Sequence, residues 1–112
     1  MKLLPSLRQK KRYLVFEILS EKKFSALEVE QAITQALKDF LGQLGLAQSA
    51  PLFIKEKFNQ NKQRFILKIN HNYTNEAKTA LTLIKKIKNQ SLILKSLAVS
   101  GTIKKANEVL SK

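Results

Sequence analysis

Short alternating runs and one long helical run of apolar residues divide this chain into elements. Residues 12–19, RYLVFEIL, are few and rich in β-branched and aromatic side chains, which predicts a strand. Successive strand side chains point to opposite faces. Leu14, Phe16 and Ile18 are therefore expected on one side, with Tyr13, Val15 and Glu17 on the other. A helical period takes over at Leu27 and continues through Val29, Ala32, Ile33, Ala36, Leu37, Phe40, Leu41 and Leu44. Ser25 stands three residues before Glu28, a capping-box spacing that opens this helix, and Gly45 is its expected stop, with Gly42 weakening the last turns. The apolar stripe is wider than packing against one sheet face requires.

Pro51 precedes LFIKEKFN (52–59), a second predicted strand. The turn residues NQNK lead into QRFILKIN (63–70), where Phe65, Leu67 and Ile69 oppose Arg64, Ile66 and Lys68. So short a polar connection predicts an antiparallel hairpin. A second helix is expected from Thr74 to Asn89, burying Ala77, Ala80, Leu81, Ile84 and Ile87. SLILKSLAVS (91–100) reads as a fourth strand and residues 102–111 as a short helix. This order is the split βαβ pattern of an α+β, ferredoxin-like (RRM-like) β-α-β-β-α-β sandwich. Right-handed crossovers would place both main helices on one face of a four-stranded antiparallel sheet, with the short C-terminal helix added. Residues 1–11 contain Pro5, lack periodicity and end in RQKKR, and so read as a flexible basic arm before a single domain, 12–112.

Charge changes the picture more than composition does. The 112 residues carry 21 Lys and Arg against 8 Asp and Glu, a net +13. A surplus of this size opposes compaction unless a polyanion neutralises it, and nucleic acid is the leading candidate. The surplus is uneven: residues 1–23 carry a net +5, residues 24–54 a net −2 and residues 55–112 a net +10. There is no cysteine, which removes disulfides and thiolate chemistry. No apolar run approaches the roughly 18 residues that span a bilayer, and a basic cluster interrupts the apolar N-terminal stretch where a signal peptide would be continuous. A cytoplasmic protein without membrane attachment is expected.

Catalytic constellations are sparse. His71 is the single histidine and sits among Asn70 and Asn72, as a turn residue does. Glu28 and Glu30, two apart on a helix, face different ways. Neither phosphate-cradling glycine motif occurs among three glycines. A ferredoxin-like acylphosphatase would carry a loop with Gly and Arg after the first strand, where SEKKF stands here. A small enzyme acting on phosphorylated metabolites therefore lacks its catalytic pair. Aromatic base stacking, as in RNA recognition motifs, is also disfavoured: Phe16 and Phe65 fall in the inward registers and leave Tyr13 as the aromatic of the open face.

What remains is phosphate contact by lysine and arginine. SGTIKKA (100–106) is suited to it. Gly101 permits close backbone approach, and Ser100 or Thr102 can cap the short helix. Lys104 and Lys105 place two cations in the first turn, where the helix macrodipole disfavours them unless an anion is present.

KRYLVFEI (11–18) and VSGTIKKA (99–106) resemble the signatures of archaeal ribonuclease P protein component 2, related to a eukaryotic subunit shared by ribonuclease P and MRP. The resemblance covers about residues 10–110. It implies a ferredoxin-like fold seated on the catalytic domain of an RNA that removes the 5′ leader from precursor tRNA. The RNA and its Mg²⁺ ions would perform the hydrolysis, with no cofactor bound by the chain and no catalytic residue in it. Implied partners are ribonuclease P RNA, precursor tRNA in the holoenzyme, a TIM-barrel-like protein subunit, and a second copy of this component within a heterotetramer. Charge and position nominate Lys10, Lys11, Arg12, Ser100, Gly101, Thr102, Lys104 and Lys105 as RNA contacts. The wide stripe in a segment too acidic to attract RNA nominates Leu37, Phe40, Leu41 and Leu44 as a protein interface. The competing reading is a basic scaffold of another ribonucleoprotein, such as the ribosome.

Overall fold

The computed structural model describes residues 10–112, so the N-terminal arm lies, up to residue 9, outside the described residues. Strand β1 spans Lys11–Leu19, which makes Lys11, expected in the arm, the first residue of the sheet. Helix α1 (Ala26–Ser49) follows, then β2 (Leu52–Phe53), β3 (Arg64–Asn70), helix α2 (Thr74–Thr82), the short strands β4 (Lys86–Ile87) and β5 (Gln90–Ser91), β6 (Ile93–Ser100) and helix α3 (Ile103–Ser111). The main sheet has the order β2-β3-β1-β6 with every neighbour antiparallel. This is the ferredoxin-like arrangement, with β1 and β3 central.

Sequence alternation sets the two faces. Leu14, Phe16 and Ile18 from β1 and Phe65, Leu67 and Ile69 from β3 are buried together with Val29, Ile33 and Leu37 of α1 and Ala77, Ala80 and Leu81 of α2. Phe16 and Phe65 pair across the strands and stack with ring centroids 5.7 Å apart. Burying side chains of this size contributes about 1.5–3 kcal/mol each.

The opposite face departs from expectation. α3 lies across it, and Val15, Ile66, Ala106 and Leu110 form a second, smaller core with Tyr13, Ile54, Leu97, Ala98, Ile103 and Val109 packed around it. A register shift between Val15 and Phe16 makes this possible. Val15 pairs with Ala98 while Phe16 pairs with Ser96, so Leu97 is the extra residue of a bulge. Two successive apolar residues of β6 thereby reach the α3 side.

Several boundaries also shift. The Ser25–Glu28 capping box is present, but α1 does not stop at Gly45. It breaks at Gly42 (φ 75°, ψ 174°), a left-handed backbone that glycine adopts without Cβ strain, and resumes to Ser49. β2 is two residues long because residues 55–57 coil into a 3-10 turn; it pairs antiparallel with the far half of β3 (Leu52↔Lys68). The expected short turn is closed by an antiparallel bridge between Asn59 and Arg64, whose amides and carbonyls bond each other (2.8 and 3.2 Å). α2 ends at Thr82, seven residues before Asn89. Lys88 (φ 49°) and Asn89 (φ 68°) form the two-residue turn of the β4–β5 hairpin. Ile87 is buried as expected, but from a strand.

Candidate nucleic-acid interface

Antiparallel pairing of β1 with β6 places the start of one beside the end of the other. The last pair in register is Tyr13↔Ser100, so residues 10–12 and 100–105 meet at one end of the sheet although nearly ninety positions separate them. Lys10 is exposed; its carbonyl accepts the His71 amide (2.8 Å) and lies 3.2 Å from the His71 ring Nδ1. His71 is thus a turn residue that fixes the entry to β1. Lys11 is half-buried and its ammonium bonds the Asn70 side-chain oxygen, so part of its charge is already engaged. Asn70 in turn donates to the Gln48 carbonyl at the end of α1 (2.5 Å). Arg12 donates from Nη1 to the Lys11 carbonyl (3.1 Å) and lies over Gly101.

The other half of the site is a turn locked by hydroxyls. The Ser100 Oγ accepts the Thr102 amide (3.1 Å) and donates to the Thr102 carbonyl (2.9 Å). Thr102 is the N-cap of α3: its Oγ1 accepts the Lys105 amide (3.4 Å) and its carbonyl the Ala106 amide (3.3 Å). Ser100 therefore shapes the turn, and of the two capping candidates Thr102 holds the cap. Lys104 and Lys105 are exposed on the first turn, and that turn holds no acidic residue to offset them. The cap takes the Lys105 amide, and the amides before it together with the two ammonium groups are the donors this turn can offer an anion.

Gly101 answers a specific question. A Cβ placed there would meet Arg12 Nη1 at 3.6 Å and Cζ at 4.0 Å, ordinary contact distances. The isolated fold does not require glycine at this position. Any requirement would come from something that approaches from outside.

Lys68 was not nominated from sequence, yet it belongs with this set. It pairs with Tyr13 from the β3 side as Ser100 does from the β6 side, so the three share one row of the sheet. The alternation of Arg64, Ile66 and Lys68 carried the signal. Arg64 works elsewhere. Its Nε pairs with Glu17 Oε2 (2.9 Å) and its Nη1 donates to the Val109 carbonyl (3.1 Å), which ties the end of α3 to the sheet.

The four residues nominated for a protein interface divide. Leu37 is 1% exposed and belongs to the main core, so it is corrected from surface to interior; its place on the helix stripe points directly at the sheet. Leu41 is partly buried against the same core. Phe40 (45% exposed) and Leu44 (72% exposed) are outward. Phe40 borders a groove between α1 and α2 with Ala36, Ala80, Leu83 and Ile84. Among the described residues there is no group of three or more His, Asp or Glu that could hold a metal ion, and no helix long and apolar enough to cross a membrane.

The profile of the Rpp14/Pop5 family matches residues 12–111, almost the whole described chain. The chain belongs to the Rpp14/Pop5 family. Its relatives include the Thermococcus kodakarensis protein named ribonuclease P protein component 2, 37% identical over 101 residues, which are 90% of this chain and 82% of that protein. The Pyrococcus furiosus protein of the same name is 40% identical over the same shares. The Methanosarcina mazei one is 31% identical over 96% of this chain and 89% of its own. Among solved structures, a chain in the cryo-EM structure of yeast ribonuclease MRP superposes with a TM-score of 0.66 at 14% identity, covering 92% of this chain and 79% of that one. That likeness carries the fold across a wide sequence distance. This Rpp14/Pop5 member presents its clustered cations at the end of the sheet where β1 begins and β6 ends.

Proposed function

We propose that the chain is a protein subunit of ribonuclease P that binds the phosphate backbone of its RNA and supports removal of the 5′ leader from precursor tRNA. The observation that carries this reading is the meeting of Lys10–Arg12 with Ser100–Lys105 in a member of a family whose relatives bear the ribonuclease P name. Packing of α3 over the sheet supports a backbone-contact mode, since Val15 and Ile66 are wholly buried beneath it and, among the described residues, no aromatic platform is open to bases. Catalysis is assigned to the RNA and its Mg²⁺, and the chain acts without bound cofactor. The exposed row at Phe40 and Leu44 takes the TIM-barrel-like protein subunit, with a second copy of the present chain completing a heterotetramer in the cytoplasm.

The experiment is reconstitution. Ribonuclease P RNA and the partner subunit are assembled at moderate Mg²⁺ with and without this chain, and cleavage of precursor tRNA is followed. Activity that depends on the chain is the expected result. Activity indifferent to it overturns the assignment and favours a scaffold for another RNA.

A further inference from the structure

The opposite end of the sheet carries a second concentration of lysines that the proposed site does not use. The loop after β1 bears Lys22 and Lys23, and the β4–β5 hairpin bears Lys86 and Lys88, all exposed. Loop and hairpin form one surface: Ser20 Oγ donates to the Ser91 carbonyl (3.0 Å), and Lys22, Lys23 and Lys88 line a common cleft with Phe24, Ile87 and Gln90. An adjoining cleft adds Lys86. The nearby acidic groups are Glu21, exposed on the loop, and Glu28. The Glu28 carboxylate is already engaged, accepting the Ser25 amide (3.0 Å) and pairing with Lys88 (3.5 Å).

The hairpin is tied to the domain at two points. Ile87 is buried and anchors it, while the Leu92 amide bonds the Lys85 carbonyl (3.0 Å) at its base. Lys88 occupies the left-handed region at φ 49°, a conformation costly for a side chain with a Cβ. The fold thus holds a lysine, paired with Glu28, at the tip of a turn that favours glycine or asparagine, in a patch whose four lysines outnumber its two carboxylates and so repel on balance. A polyanion bound there would relieve the repulsion.

We infer that the β1–α1 loop and the β4–β5 hairpin form a second phosphate-contact surface, which takes a run of RNA backbone separate from the run at Ser100–Lys105. The inference rests on the RNA-binding reading above. β1 connects the two ends, and nine residues at about 3.3 Å per step set them about 27 Å apart. At that spacing the subunit bridges two segments of folded RNA. Ammonium groups at a turn tip contact phosphates as point charges, so this surface is indifferent to base sequence.

The test is the salt dependence of binding between the full chain and ribonuclease P RNA, read as the slope of log affinity against log salt. The variant Lys22→Gln/Lys23→Gln/Lys86→Gln/Lys88→Gln is expected to lower the slope by about 3–3.5, at roughly 0.7–0.9 for each phosphate no longer neutralised. Lys22→Gln/Lys23→Gln alone, which leaves the hairpin intact, is expected to lower it by about half as much. The comparator Lys104→Ala/Lys105→Ala probes the first site and is expected to lower the slope by about two. If the comparator lowers the slope and both loop variants leave it unchanged, the second surface is refuted while the RNA reading stands. If none of the variants changes it, both readings fall. An unchanged slope together with lost binding of a protein subunit makes the surface a protein contact and also overturns the inference.

Discussion

Gln63→Ala tests whether the loop carrying Lys22 and Lys23 is held by one buried amide. Gln63 is 6% exposed, and its side chain bonds three backbone groups. Oε1 accepts the Phe24 amide (2.8 Å), and Nε2 donates to the carbonyls of Phe24 (3.2 Å) and Gln60 (2.8 Å). Truncation leaves the Phe24 amide unpaired beside a buried ring, at about 1–3 kcal/mol. The Phe24 carbonyl keeps the Gln60 side chain as a donor (3.1 Å), so its loss and that of the Gln60 carbonyl are nearer about 1 kcal/mol in sum. A total of about 3 kcal/mol is expected, which lowers the melting temperature by roughly 10–15 °C for a domain of this size. Backbone strain supplies an internal control. Gln63 sits at φ 54°, a conformation that alanine endures no better than glutamine and that glycine relieves by roughly 1 kcal/mol. Gln63→Gly should therefore be the more stable of the two variants although it has lost the same hydrogen bonds. Chemical denaturation of the wild type and both variants measures the two quantities. A loss below about 1 kcal/mol in Gln63→Ala would refute the reasoning, because water would then be satisfying the Phe24 amide. A glycine variant less stable than the alanine variant would refute the strain component.

Three further outcomes are expected. Gly101→Ala should leave stability within about 0.5 kcal/mol of wild type, since its Cβ meets only ordinary contacts, yet weaken RNA binding severalfold; unchanged affinity would mean that no ligand approaches this backbone. Phe40→Asp should fold normally, because the ring is 45% exposed, and should lose assembly with the partner subunit by size-exclusion chromatography; a folded variant that assembles normally removes Phe40 from the interface. The Ser25 amide, the Ser25 hydroxyl and then the Lys88 charge hold the Glu28 carboxyl below its ordinary 4.5. Its folded pKa lies under the unfolded one, so its contribution to stability is complete above about pH 4.5 and is lost as pH falls through the folded value. Glu28→Gln should flatten the acid limb of a stability–pH profile, and an unaltered limb would count against the capping box as a charged interaction.

Local signals in this sequence locate the elements more reliably than their ends. The capping box at Ser25–Glu28 and the alternation in β3 are decided within a few residues, and both stand in the structure. The end of α2 is obscured because Ile84 and Ile87 satisfy a helical period and an extended turn alike. Lys88–Asn89 lacks the glycine that would mark a two-residue turn. At α1 the expected stop at Gly45 is misplaced, whereas the expected weakening at Gly42 is where the helix breaks. Gly45 stays helical while Gly42, which takes the positive φ, breaks the run. The covering of the second face is the larger omission. Val15 and Ile66 on a face expected to be open, together with the Ile103, Ala106 and Leu110 stripe of the last helix, are two halves of one core. Each half is short enough to pass for incidental apolar surface when read alone.

The candidate site is legible for a reason independent of any motif. In a β2-β3-β1-β6 sheet the first strand is central and antiparallel to the last, so whatever enters β1 must lie beside whatever leaves β6. A basic cluster before the first strand and another after the last therefore become one patch as soon as the strand order is known. The same geometry brings the exit of β1 beside the entry of β6, where Lys22 and Lys23 meet the hairpin that precedes that strand. Along the sequence this second patch is divided between a loop and the tail of a helix expected to run to Asn89. A hairpin in place of that tail is what gathers it. Lys86 and Lys88, two apart in sequence, would diverge by about 200° around a helix but line one cleft on the hairpin. Helix or hairpin at residues 83–91 thus decides whether this family member gathers its lysines at one end of its sheet or at both.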